Sequence, residues 1–312
     1  MKAAVYNEFG GAEKIRITTV DVPELKEGEV LVSVRAAGVN PVDSAVRSGF
    51  LKDHIPVNFP VIPGWDVAGV VEDRAYSARR FDIGDEVYAY ARRPVVQWGT
   101  FAEYIVIPET YLAFKPRTLS FTEAAGIPLV GLTAYQSLID LGHLKANQFV
   151  LILGASGGIG TMGIQIAKEK GARVIAVASK QNHDFMKELG ADYTLEYANT
   201  DIAAEIKKIT PEGADLIFDA AAGETLEKSV GALKTGGTIV SILSHGQNLP
   251  KDINFKYHFV EPNSLQLGLL TKMADSGKLK VPVSQWFPLD KTADAMRQLE
   301  THHTRGKVII VP

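Results

Sequence analysis

The sequence predicts an α/β protein of two architectures, a β-rich barrel followed by a doubly wound parallel sheet. Three observations predict it. Strand-like runs at 14–20, 29–39, 67–72, 86–89 and 101–107 are separated by Pro, Gly and Asp turns, as in a small barrel. From Thr122 onward helix and strand patterns alternate, the signature of βαβ units around a parallel sheet. The apolar run 149–153 leads directly into Gly154-Ala155-Ser156-Gly157-Gly158-Ile159-Gly160. Such a run reads as a fully buried parallel strand, and the glycines after it let backbone N–H groups approach a pyrophosphate at the positive end of the following helix. A Gly-rich turn in that context points to a dinucleotide site.

The remaining elements follow in order. Residues 173–178 are strand-like, 183–189 form a short helix closed by Gly190, and 201–209 form a helix stopped before Pro211. Segments 216–219 and 238–243 supply further buried strands. Beyond Ser264 come a helix at 265–276, a segment at 281–287, a helix near 291–300 and a terminal strand at 307–311, which is expected to return to the first domain. Segment 236–243 is apolar and is expected near the sheet edge, where a second copy of the chain would cover it. With no repeat or flexible linker, the domains are expected to pack over a ligand-binding cleft.

Composition narrows the partners. At 312 residues with 46% hydrophobic content, the chain is long enough for two cores. Its formal net charge of −3, without a basic block, argues against nucleic acid or an anionic membrane and for a small-molecule partner. No membrane-length apolar run or signal-peptide core is present, so a cytoplasmic location is expected. The chain has no cysteine, which excludes disulfides, a thiolate nucleophile and cysteine-ligated zinc.

The end of the second strand of such a sheet selects the dinucleotide, because an acid about 20 positions past the turn would bind an unmodified ribose 2′-hydroxyl. Here Val177-Ala178-Ser179-Lys180 carries a hydroxyl and an ammonium instead. Both donate to a 2′-phosphate, so NADPH/NADP is the expected cofactor. The alternative is that Ser179 merely caps a helix starting near Gln181 and Lys180 is solvated.

Several segments match a family pattern: Ala36-Ala37-Gly38-Val39-Asn40-Pro41-Val42-Asp43, Pro63-Gly64-Trp65-Asp66-Val67-Ala68-Gly69-Val70-Val71, Gly84-Asp85-Glu86-Val87-Tyr88, the turn at 154–160, and Arg305-Gly306-Lys307-Val308. The chain resembles the zinc-independent quinone oxidoreductases and alkenal/enone reductases of the medium-chain dehydrogenase/reductase superfamily, over nearly its whole length. The resemblance implies a GroES-like β-barrel domain at 1–121, completed by about 264–312, and a Rossmann domain at 122–263. It also implies NADPH-dependent reduction of quinones or conjugated carbonyls, often by a homodimer.

Carried over by residue, Asn40 and Asp43 occupy the cleft pattern, Asn40 near where zinc-dependent relatives place a cysteine. Trp65 stands where those relatives carry a histidine. Together with the absence of a histidine cluster, this predicts no catalytic metal. Hydride addition to a quinone or enone gives a delocalised anion, so a metal-free site favours conjugated acceptors. Lys52 and Tyr90 are the proton-donor candidates, against readings as an exposed lysine and a structural tyrosine. The catalytic candidates are therefore Asn40, Asp43, Lys52 and Tyr90.

For the cofactor, the resemblance adds Tyr197 beside Ser179 and Lys180, with Tyr193 as its rival. It adds Thr133 as a nicotinamide contact, against a helix-packing threonine, and the backbone at Leu243 and Ser244 for the carboxamide. These join Asn40, Gly154, Ala155, Ser156, Gly157, Gly158, Ile159 and Gly160. Trp98 lies in a loop with Arg92 and Arg93 whose counterparts line substrate pockets; it is either a pocket wall or packs under the loop, with Arg92 and Arg93 facing water. A non-catalytic NADPH-binding sensor or crystallin-like structural protein is the competing class, resting on the missing proton donor.

Overall fold

A computed structural model describes residues 1–198, 200–301 and 304–312. The chain forms two compact units, one of Met1–Leu132, Glu261–Gly277 and Val281–Pro312, the other of Thr133–Val260 and Lys278–Lys280. The crossover falls inside helix Pro128–Tyr135, later than the 121/122 boundary expected from the sequence. The reason is local. Helix Phe121–Ala124, capped by Ser120, packs on strands Glu29–Val39 and Asp66–Arg74, and the Leu129 amide donates to Asp66 Oδ1 at 2.7 Å.

The first unit is built around strand Glu29–Val39, which pairs antiparallel with Asp66–Arg74 along its length. On its other side it pairs first with Tyr104–Pro108 and then with the terminal strand Lys307–Val311. Glu86–Tyr90 and Leu112–Phe114 extend the sheet beyond Asp66–Arg74, and Val283–Pro288 lies parallel to Lys307–Val311 at the opposite end. Core residues on the central strand run Val30, Val32, Val34 and then Ala37, Val39. The parity changes where the register shifts between Val34 and Ala36, because an extra residue in one strand turns the following side chains to the other face. A separate parallel pair, Val57–Ile62 with Val96–Trp98, is absent from the sequence expectation.

The second unit holds a six-stranded, all-parallel sheet in the order Tyr193–Leu195, Arg173–Val177, Phe149–Leu153, Ala214–Asp219, Leu233–Ser241, Asn254–Tyr257. This is the strand order of a dinucleotide-binding Rossmann domain, with the switch point at Phe149–Leu153. Residues 150–153 are fully buried, as an all-apolar parallel strand covered on both faces must be. Segment 236–243 is near the sheet edge, as expected, without being the edge itself: Leu233–Ser241 is the penultimate strand, and the edge on that side is Asn254–Tyr257. That strand has a half-exposed pattern with Asn254 and Lys256, which hides it from an apolar-run search. No helix among the described residues is long and apolar enough to cross a membrane.

Candidate active site

In the first unit, three strand or helix ends bring four polar side chains together in the core. Asn40 ends strand Glu29–Val39 and opens helix Pro41–Arg47, Asp43 lies in that helix, Asp66 begins strand Asp66–Arg74 and Lys307 begins the terminal strand. All are buried. Lys307 Nζ donates to Asn40 Oδ1 at 2.6 Å, to the Val39 carbonyl at 3.2 Å and to Asp66 Oδ2 at 3.3 Å. Asn40 Nδ2 donates to the same Asp66 oxygen at 2.8 Å, and Asp66 Oδ1 accepts the Leu129 amide. Asp43 Oδ2 accepts the Asn40 backbone N–H at 2.8 Å.

This network assigns the work of each group. The Asn40 side chain is committed inside the unit, so Asn40 is a positioning group more than a free hydrogen-bonding arm. Burial pushes the Asp43 carboxyl up to about 7, with the Asp66 charge adding to the rise and the hydrogen bond from Asn40 opposing it. Burial also raises Asp66, against the lowering effect of the Lys307 ammonium and the Asn40 amide. Sequence reasoning missed Asp66 and Lys307. The signal was available, since a charge at the start of an otherwise apolar strand needs a partner when buried.

Tyr90 is fully buried, and its hydroxyl has no hydrogen-bond partner among the described residues. Its ring meets Trp65 edge-on at 6.0 Å, and the Arg92 guanidinium lies 6.0 Å from the Trp65 ring. Burial raises the Tyr90 phenol well above its ordinary value, so it stays protonated through neutral pH. Lys52 is exposed in the turn after helix Pro41–Arg47, outside this network. Arg92 and Arg93 are partly exposed and ion-paired: Arg93 Nη2 lies 2.8 Å from Glu29 Oε1, and Arg92 lies 3.4 Å from Glu261. Trp98 is half-exposed in the strand paired with Val57–Ile62.

In the second unit, the turn between strand Phe149–Leu153 and helix Gly158–Glu169 has the geometry its glycines suggest. Gly154 takes φ +71°, the left-handed region that favours glycine. A Cβ on Gly160 would sit 2.5 Å from the Gly154 oxygen and the Ala155 Cα, so the turn closes on itself there. A Cβ on Gly157 would meet nothing nearer than the Gly154 oxygen at 3.5 Å. Gly157 thus has room that the protein itself does not fill, at the N-terminus of a twelve-residue helix. Ala155, Ser156, Gly158 and Ile159 complete the turn, which fits a pyrophosphate.

Beyond the next strand, Ser179 makes no capping bond to the short turn Lys180–Asn182, contrary to the capping alternative. Its Oγ instead accepts Asn182 Nδ2 at 3.0 Å, and the same nitrogen reaches Ser156 Oγ at 3.2 Å. Lys180 is exposed. Strands Arg173–Val177 and Tyr193–Leu195 pair with Val177 opposite Leu195, so Ser179 and Tyr197 each follow their strand by the same two positions. Tyr193 sits at the other end of that ladder, opposite Ile175. Tyr197 thus lies level with Ser179, and both tyrosine rings are substantially exposed.

Thr133 is buried in helix Pro128–Tyr135. The N–H groups of Leu243 and Ser244 both donate to Ser241 Oγ, at 3.3 and 2.9 Å, so these two amides are already engaged within the protein. Ser241 in turn donates to Asp219 Oδ2 at 2.6 Å, and Asp219 Oδ1 accepts the Ala221 and Ala222 amides. This fully buried carboxylate, unnoticed in the sequence, ties together the loops that follow two adjacent strands.

The alcohol dehydrogenase GroES-like domain family matches residues 26–117, and the zinc-binding dehydrogenase family matches 189–310. A chloroplastic NADPH-dependent alkenal/one oxidoreductase of Arabidopsis thaliana is 36% identical, covering 100% of this chain and 80% of its own length. The chain belongs to the medium-chain dehydrogenase/reductase superfamily. Among solved structures, the quinone oxidoreductase of Coxiella burnetii superposes with a TM-score of 0.90 at 31% identity, covering 100% of this chain and 99% of its own. A structure described as an NAD-dependent alcohol dehydrogenase superposes with a TM-score of 0.93 at 32% identity, covering both chains completely at 100%.

Some members of the medium-chain dehydrogenase/reductase superfamily hold zinc, and the family name above implies it. The residues here do not fit that ion. The position offers an amide, an indole and a carboxylate at Asn40, Trp65 and Asp66, and the ammonium of Lys307 already lies 3.3 Å from that carboxylate. A dication there would face a fixed positive charge, and Asn40, Trp65 and Asp66 supply neither thiolate nor imidazole to hold it. Among the described residues no cluster of three His, Cys, Asp or Glu side chains could hold a metal ion.

Proposed function

We propose that this chain is an NADPH-dependent reductase of quinones or α,β-unsaturated carbonyls that works without zinc. The observation that carries the reading is the Lys307 ammonium inside the Asn40–Asp66 cluster, where a metal's ligands would have to gather. Reduction of an isolated carbonyl leaves a localised alkoxide that calls for a Lewis acid or a strong acid, whereas a conjugated acceptor spreads the charge.

When bound, NADPH supplies a hydride to the acceptor. The protein's part is to hold and orient. The turn at Gly154–Gly160 holds the pyrophosphate, Ser179, Lys180 and Tyr197 hold the 2′-phosphate, and Thr133 with the carbonyls at Leu243 and Ser244 fixes the nicotinamide. Tyr90, whose hydroxyl hydrogen has no acceptor among the described residues, donates to the developing oxyanion. The network of Lys307, Asp66, Asn40 and Asp43 keeps the strand ends around it in place.

The likeness to an NAD-dependent alcohol dehydrogenase brings a second reading. That reading calls for an acid after the second strand, and the chain has Ser179 and Lys180 there. The deciding experiment is oxidation of NADPH and NADH by the purified protein against a panel of quinones, 2-alkenals and simple aldehydes, with products identified. NADPH oxidation by quinones or alkenals is expected; turnover of simple aldehydes with NADH alone refutes the proposal.

A further inference from the structure

Asn182 lies in the turn Lys180–Asn182, and its backbone N–H, held by the Ser179 carbonyl at 2.9 Å, fixes where the side chain starts. From there one amide nitrogen reaches two serines, Ser156 of the glycine turn at 3.2 Å and Ser179 at 3.0 Å. An amide nitrogen only donates, so both serine oxygens accept. A hydroxyl has one hydrogen and two lone pairs. With a lone pair of each committed to Asn182, both hydroxyl hydrogens turn away from it and remain available to an anion.

The two serines lie just beyond the ends of neighbouring parallel strands, Phe149–Leu153 and Arg173–Val177. We infer that Asn182 is a specificity-determining positioning residue, which presents Ser156 as a donor to the pyrophosphate and Ser179 as a donor to the 2′-phosphate. One side chain thereby sets the hydrogen-bonding sense at both phosphate positions. The inference rests on the assignment of the 2′-phosphate to Ser179 and Lys180. Its chemistry is specific to the amide: a carboxylate at 182 would accept both hydroxyl hydrogens and set a negative charge beside the phosphate.

The test measures dissociation constants of NADPH, NADH and 2′,5′-ADP for the full-length protein and its N182A, N182D, S179A and K180A variants, with thermal midpoints alongside. N182A is expected to weaken NADPH about tenfold and NADH no more than about threefold, through Ser156. N182D is expected to weaken NADPH and 2′,5′-ADP at least about thirtyfold. In the S179A background, N182A is expected to change the NADPH:NADH preference no further. Equal losses for NADPH and NADH, with an unchanged ratio, overturn the inference in favour of a plain structural role. Unchanged NADPH binding in N182A and N182D, with weaker binding in S179A and K180A, overturns it while leaving the 2′-phosphate assignment intact. Unchanged binding in S179A and K180A overturns that assignment and the inference with it.

Discussion

Lys307 Nζ lies 3.3 Å from Asp66 Oδ2, with 3% and 0% of the two side chains exposed. Asn40 closes the pair into a triangle, its amide nitrogen on the same carboxylate oxygen and its amide oxygen on the ammonium. A buried pair of this kind adds little over apolar packing of the same volume, yet removing one member leaves the other charged in a medium that cannot solvate it. The triangle is therefore a fixed point of the first unit.

Replacement of Lys307 by Met is expected to destabilise the protein by about 3–5 kcal/mol, read from the urea midpoint of unfolding. The double variant D66N/K307M should be less destabilised than the sum of the single changes, because the stranded carboxylate is gone. Additive losses would show that the two groups do not act as a pair.

Asp43 provides a pH signature. Its folded-state value of about 7 lies above the unfolded value of 3.8, so the folded state binds the proton more tightly. Its contribution is complete below the unfolded value and declines as pH rises from about 4 to about 7, where ionisation is disfavoured only in the folded state. Asp43→Asn, which imitates the protonated form, should flatten that part of the profile. Thermal midpoints between pH 4 and 8 check it; parallel profiles for the two proteins would contradict the assignment.

The two glycines of the phosphate turn should separate folding from binding. Gly160→Ala forces a methyl to within 2.5 Å of backbone and should lower both the thermal midpoint and NADPH affinity. Gly157→Ala meets only an ordinary contact at 3.5 Å, so stability should change by less than about 0.5 kcal/mol while NADPH affinity falls tenfold or more. Equilibrium titration beside calorimetry distinguishes them.

Tyr90→Phe removes a buried hydroxyl that has no partner among the described residues. Stability should hold or rise slightly, since nothing is left unpaired. Turnover of quinones and alkenals should fall about 100-fold with unchanged NADPH affinity, the size of effect known for loss of one oxyanion donor. Unchanged turnover would remove Tyr90 from the reaction.

The parts of this fold legible in the sequence were those that periodicity dictates. Residues 150–153 are apolar because both faces of their sheet are covered, and the glycine turn after them announces itself. Strand Asn254–Tyr257 escaped because an edge with Asn254 and Lys256 needs no apolar run. The site divided the same way. Ser179 and Lys180 stand at a position that topology defines, but Lys307 and Asp66 meet across 241 positions of chain. Each charge, opening an apolar strand, signals that it needs a partner, but nothing local says which one it meets. Asn182 was hidden for a different reason: an asparagine in a turn is ordinary, and only its distance to two hydroxyls gives it a task.

Strand Lys307–Val311 pairs with Glu29–Val39, so a strand made early in synthesis depends on one made much later. On a ribosome, the sheet of Thr133–Val260 has all six strands in hand while the first unit still waits for its closing one and for the ammonium that neutralises Asp66. A chain cut short before Lys307 would thus emerge with a finished parallel sheet and an open barrel carrying a stranded acid. Quality control by cellular proteases would meet the fault in the N-terminal portion, although the missing piece belongs to the other end.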